Sequence, residues 1–134
     1  MNPLRIESAL RAALAPSFSG TTIYLGTDYE ELTPESLNLI VACTQTTHEV
    51  GGIFLADVLV KVSAPALLGA SSLTGFQNTL DTVYGALTPD GLSAAWPTDA
   101  GVPAFAGLWI KGTKMSTSKE LWVAEIETSV GVTE

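Results

Sequence analysis

The sequence predicts an α+β domain: a mainly antiparallel sheet of about five strands with two helices packed on one face. Two stretches place apolar residues at helical spacing. Others show the alternation or the β-branched content of strands, and the longer strands fall into hairpin pairs instead of alternating with helices. The 134 residues fit a single domain over 1–134.

The first element is a short amphipathic helix, with Ile6, Leu10, Ala13 and Leu14 on one side, Glu7 one turn before Arg11, and Pro16 as its stop. TTIYL, Thr21 to Leu25, follows between Gly20 and Gly26 and has strand composition. The polar stretch after it, with Asp28, Glu30, Glu31, Pro34 and Glu35, reads as a loop and is the most acidic part of the chain. From Leu37, LNLIVACTQT sets Leu37, Leu39, Val41 and Cys43 on one face. From Ile53, IFLADVLVKV does the same with Phe54, Ala56, Val58, Val60 and Val62. Gly51-Gly52 between them predicts an antiparallel hairpin, and Pro65 ends the second strand.

Leu73, Phe76, Leu80, Val83 and Leu87 recur at spacings of three and four, a helix started by Ser71 or Ser72 and closed by Thr88-Pro89-Asp90-Gly91. Gly75 and Gly85 inside it predict a close approach by the sheet or by a neighbouring subunit. Leu92 to Ala104, with Pro97, Gly101 and Pro103, has no period and reads as a loop. FAGLWIKGT and ELWVAEIETSV form a second hairpin with KMSTSK as its tip. Both faces of several strands carry apolar residues. The second face is therefore expected to be covered either by the 92–105 segment or by an oligomer.

Composition narrows the function. Hydrophobic residues are 46% and charged residues 15%, enough for a core and unlike a disordered tail. With Lys+Arg 6 against Asp+Glu 14, the net charge of −8 is the wrong sign for a protein that neutralises phosphates. One Cys and one His exclude a disulfide scaffold and a histidine-rich metal site. The lone cysteine fits a reducing compartment most simply, and a secreted or virion protein as well. Gly51 to Val62, broken by Asp57 and Lys61, is too short to span a bilayer, and the N-terminus lacks the apolar run of a signal peptide, so it reads as mature.

Cys43 with His48 and Glu49 is the one arrangement suggesting nucleophilic or acid-base catalysis, but residues five apart on a strand point to opposite faces. The bland reading is a buried cysteine and a strand-end histidine. The acidic stretch lacks EF-hand spacing and reads first as a solvated loop, and no glycine-rich phosphate cradle occurs. Among the three tryptophans, Trp122 is expected in or near the core and Trp96, before Pro97, as an interface anchor.

The order of IESALRAALA, TTIYL, an acidic loop, LNLIVACTQ, IFLADVLVKVSA, SSLTGFQNTLDTVYGAL and a final hairpin ending in ELWVAEIETSV resembles the tail terminator proteins of long-tailed bacteriophages, also called tail-completion or head-tail joining proteins. The likeness covers nearly the whole chain as element order, length and hydrophobic pattern. It implies a structural virion protein, assembled in the host cytoplasm, that forms a homo-oligomeric ring, expected to be a hexamer. The ring would cap the tail tube protein, end tail polymerisation and join the tube to the neck connector. Genome DNA would pass through without sequence-specific binding, and neither cofactor, catalysis nor membrane is implied. Candidate interface residues are then Asp28, Glu30, Glu31 and Glu35 in the acidic loop, Trp96 in the 92–105 segment, and Lys114 and Lys119 at the hairpin tip. Another neck or connector component, a small acidic ligand-binding module with a pocket between helices and sheet, and a hydrolase or isomerase using His48 with an acidic residue are the alternatives.

Overall fold

The strand with the cleanest alternation lies at the centre of the sheet. In the computed structural model, which describes residues 2–18, 22–26, 38–48, 51–65, 70–117 and 121–133, Ile53–Pro65 is flanked by a strand on either side. The elements are α1 (Pro3–Leu14), a 3-10 turn (Ala15–Ser17), β1 (Ile23–Leu25), β2 (Asn38–His48), β3 (Ile53–Pro65), α2 (Ala70–Ala86), α3 (Pro89–Ala95), β4 (Ala104–Thr117) and β5 (Leu121–Thr133). They give the predicted α+β fold, a five-stranded sheet in the order β1-β2-β3-β5-β4. Only β1 and β2 run parallel; β2-β3, β3-β5 and β4-β5 are antiparallel.

Ala56, Val58, Val60 and Val62 of β3 are all buried, as are Leu39 and Val41 of β2 and Ala124, Ile126, Val130 and Val132 of β5. Register places them side by side on one face, where they meet Ile6, Leu10 and Leu14 of α1, Phe76 and Val83 of α2, and Leu92 of α3. The turn between β2 and β3 holds Gly51 and Gly52 at φ of 87° and 81°, left-handed backbone that glycine adopts without a Cβ clash and that matches the twist of an antiparallel hairpin.

Several details depart from the sequence reading. The first helix is capped by the Asn2 side chain, which accepts from the Leu4 N–H at 3.0 Å, and Pro16 falls in the 3-10 turn after it. Glu7 turns inward, not along the helix toward Arg11, and is buried with both oxygens on backbone N–H groups. Thr88 to Gly91 is a helix start as well as a stop. The Thr88 hydroxyl accepts from the Gly91 N–H at 3.0 Å and caps α3, so the segment read as loop from Leu92 begins in a helix. Among the described residues, Gly75 and Gly85 have nothing within 4 Å of the position a Cβ would take, so neither marks a close approach by the sheet. The KMST part of the expected hairpin tip is strand, because Lys114 to Thr117 pair with Glu125 to Trp122.

The segment after α3 does not cross to the second face of the sheet. Trp96 is 7% exposed, donates its indole N–H to the Pro103 carbonyl at 2.9 Å, and stacks at a tilt on Phe105, 5.2 Å between ring centres. The expected interface anchor is thus a core residue that fastens α3 to β4, because the chain's own Pro103 supplies the acceptor its N–H needs. Trp122 is half-buried beside Phe76, and its indole N–H has no acceptor among the described residues.

Candidate assembly surface

On the helix-free face, the middle of the sheet is charged. Lys61 lies opposite Glu125, and Glu125 opposite Lys114, in one row across β3, β5 and β4. Lys114 reaches diagonally to Glu127 at 3.3 Å, and Lys111 Nζ lies 2.5 Å from Asp57 Oδ1. These pairs are solvent-exposed and contribute little individually, but they explain how an antiparallel sheet leaves this face to water despite Leu55 and Leu59 between them. A depression of about 290 Å³ on this face is lined by Thr44, Asp57, Leu59, Lys111, Glu125 and Glu127. Within it Lys111 pairs with Asp57, and Lys114 reaches Glu127 from outside the depression.

Exposed apolar side chains gather on β4, the outer strand on the side away from β1. Its register with β5 directs Ile110, Thr113 and Met115 to the helix side, opposite Thr128, Ile126 and Ala124, and Trp109 and Lys114 to the open side. The helices cover the start of this strand but leave its Ile110 and Met115 side chains largely exposed. Ile110 is 43% and Met115 55% exposed, although their β5 partners are buried. From α2, the Tyr84 hydroxyl reaches β4 by a hydrogen bond with the Thr113 hydroxyl.

Trp109, 55% exposed, lies over two glycines that face each other across β4 and β5. A Cβ at Gly107 would come within 3.1 Å of the indole and one at Gly131 within 3.2 Å, so the two glycines form a flat seat for the ring. The ring is held from below and open above. Register shifts interrupt β4 between Phe105 and Gly107 and between Ile110 and Gly112, leaving Gly112 to Thr117 as its regular run.

Glu7 organises the opposite side of the sheet. Its carboxylate accepts from the Cys43 N–H at 2.9 Å and the Gly26 N–H at 3.3 Å, tying α1 to the end of β1 and to the bulge of β2. Gly26 is required there, since a Cβ would sit 3.0 Å from the Ala42 Cβ. The bulge also alters the reasoning about Cys43 and His48. It gives them register partners of equal parity, Val58 and Phe54, but those partners are four positions apart on β3, about 13 Å along the strand. The two positions do not form a nucleophile-base pair. Burial, and next the Glu7 carboxylate, push the Cys43 thiol up to about 11, the opposite of an activated nucleophile.

Of the residues singled out in the sequence, Lys114 stands on β4 with its side chain 76% exposed and Trp96 is in the core. Asp28, Glu30, Glu31, Glu35 and Lys119 lie outside the described residues. Sequence reasoning missed Trp109, Ile110 and Met115. The signal available was the mix of Gly107, Lys111, Gly112 and Lys114 in one hairpin arm, a composition that belongs to an edge strand. Among the described residues, no group of three or more His, Cys, Asp or Glu side chains is placed to hold a metal, and no helix is long and apolar enough to cross a membrane. Compared with known proteins, the chain matches no protein-family model and no curated protein sequence.

Proposed function

We propose that the chain is a structural subunit of a phage tail terminator ring, which caps the tail tube, ends its polymerisation and joins it to the neck connector. The reading rests on the order of elements along the chain. The observation that carries it into three dimensions is β4, an outer strand with Trp109 exposed on one side and Ile110 and Met115 on the other. A protein that works alone gains nothing from such a strand, whereas an assembling subunit buries it. The net charge of −8 suits a ring through which DNA slides without being held. In this reading the protein is a homo-oligomer of the virion, expected to be hexameric, that binds tube and neck proteins and carries out no catalysis.

The direct test adds the purified chain to polymerising tail tube protein and examines the tubes by negative-stain electron microscopy. The expected result is a distinct cap at one tube end with growth arrested there. Tubes that elongate unchanged, with no bound protein after sedimentation, would sink the proposal.

A further inference from the structure

We infer that the groove between α1 and the turn that precedes β4 binds an α-amino acid with an apolar side chain. The groove, about 460 Å³, has the size of an ordinary small-molecule site. Leu4, Ala9 and Ala12 line it from α1, and Pro97 and Val102 from the segment after α3. That second wall is preformed. The Trp96 indole N–H holds the Pro103 carbonyl at 2.9 Å, and the Val102 N–H closes a turn on the Asp99 carbonyl at 3.1 Å. A ligand entering the groove therefore does not have to order the loop that receives it. The inference goes beyond the ring reading and does not depend on it.

The polar groups around this apolar lining select the ligand. Arg5 Nη1 donates to the Gly101 carbonyl at 3.0 Å, tying the start of α1 to the turn. Gly101, at φ of 83°, is required there, since a Cβ would sit 2.6 Å from Arg5 Nη1. The turn thus fixes the guanidinium beside the groove and leaves its other N–H donors for a ligand. Asp99 lines the same groove. Among the described residues neither Arg5 nor Asp99 has an ion-pair partner, and the two are not paired with each other, in contrast to Lys111 with Asp57 and Lys114 with Glu127. A simple anion would be drawn to Arg5 and repelled by Asp99, and a simple cation the reverse. A zwitterion satisfies both. Its carboxylate accepts from Arg5, its ammonium donates to Asp99, and its side chain lies on the apolar walls.

The test uses the full chain in equilibrium dialysis against radiolabelled L-phenylalanine, with N-acetyl-L-phenylalanine and L-phenylalaninamide as competitors. Saturable binding is expected, and each competitor, lacking one of the two charges, should bind about tenfold more weakly than unlabelled L-phenylalanine. Arg5→Gln, which can still donate to Gly101, and Asp99→Asn, each checked for an unchanged melting temperature, are expected to weaken binding by about the same tenfold. Asp99→Asn should also lose the discrimination against N-acetyl-L-phenylalanine, a change that a purely structural role for Asp99 would not produce. No saturable binding up to the solubility limit of L-phenylalanine would overturn the inference. Competitors that match the free amino acid, as a peptide-terminus site or a nonspecific apolar site would show, or binding unchanged in both variants, would overturn it equally.

Discussion

Replacing Glu7 by Ala removes the acceptor of two backbone N–H groups, Cys43 at 2.9 Å and Gly26 at 3.3 Å, in a site where the carboxylate itself is 4% exposed. Gly26 follows the last residue of β1 and Cys43 opens the bulge of β2, where the strand ladder is interrupted. Each stranded donor costs about 1.5 kcal/mol, so the substitution is expected to cost about 3 kcal/mol. For a domain of this size that is a drop of roughly 10 °C in melting temperature. Glu7→Gln keeps one acceptor oxygen but turns an NH₂ toward the second donor, and recovers less than half of the loss. Thermal melts of the two variants beside Ser8→Ala, an exposed neighbour on the same helix, give the comparison. Amide exchange adds a local reading, since the Cys43 N–H is expected to exchange much faster in Glu7→Ala. A Glu7→Ala protein melting within about 2 °C of wild type, with Cys43 exchange unchanged, would refute the clip that joins α1 to β1 and β2.

Other consequences follow from the same geometry. With its pKa raised from 9.0 to about 11, Cys43 stays protonated longer in the folded chain than in the unfolded one, so its contribution to stability is complete below pH 9 and is lost as pH rises through 11; Cys43→Ser should lack that alkaline loss in urea melts. At pH 8 its alkylation by iodoacetamide should run about a hundredfold slower in the native than in the unfolded chain, and equal rates would contradict the burial. Thr88→Ala removes the cap of α3 and should cost about 1 kcal/mol in chemical denaturation. Gly91→Ala should cost more, because its Cβ would sit 2.8 Å from the Thr88 hydroxyl oxygen and 3.2 Å from the Ala86 carbonyl. Trp96→Phe leaves the Pro103 carbonyl without its donor and should destabilise by roughly 1–2 kcal/mol, without affecting self-association.

Periodicity made the core legible. Val58, Val60 and Val62, Leu39 and Val41, and Phe76, Val83 and Leu87 all lie where spacing put them. Gly51-Gly52 announced its hairpin because the turn needs positive φ at both positions. Local pattern failed where one residue serves two ends: Thr88 closes α2 and caps α3, and the Pro and Gly content after it concealed a helix of two turns. Nor does periodicity report sheet order. The final hairpin was evident, but β5 inserts beside β3 and leaves β4 outside, a choice made by burial. β5 offers an unbroken inner row from Ala124 to Val132, whereas β4 carries lysines and two register shifts. That ordering turned Trp109 from one large apolar residue among three into the exposed one. Trp96 and Glu7 were misread for the same reason, since their partners, the Pro103 carbonyl and the Cys43 and Gly26 amides, come from backbone that only the assembled fold brings close.

The measurement that bears most directly on the assembly reading is the native mass of the purified chain by light scattering across a concentration series, with negative-stain images of the largest species. The reading predicts a discrete cyclic species of about six subunits, ring-shaped in projection, with a central opening wide enough for duplex DNA. A mass that stays at one subunit up to the highest concentration, with no rings on the grid and none on purified tail tubes, would contradict it.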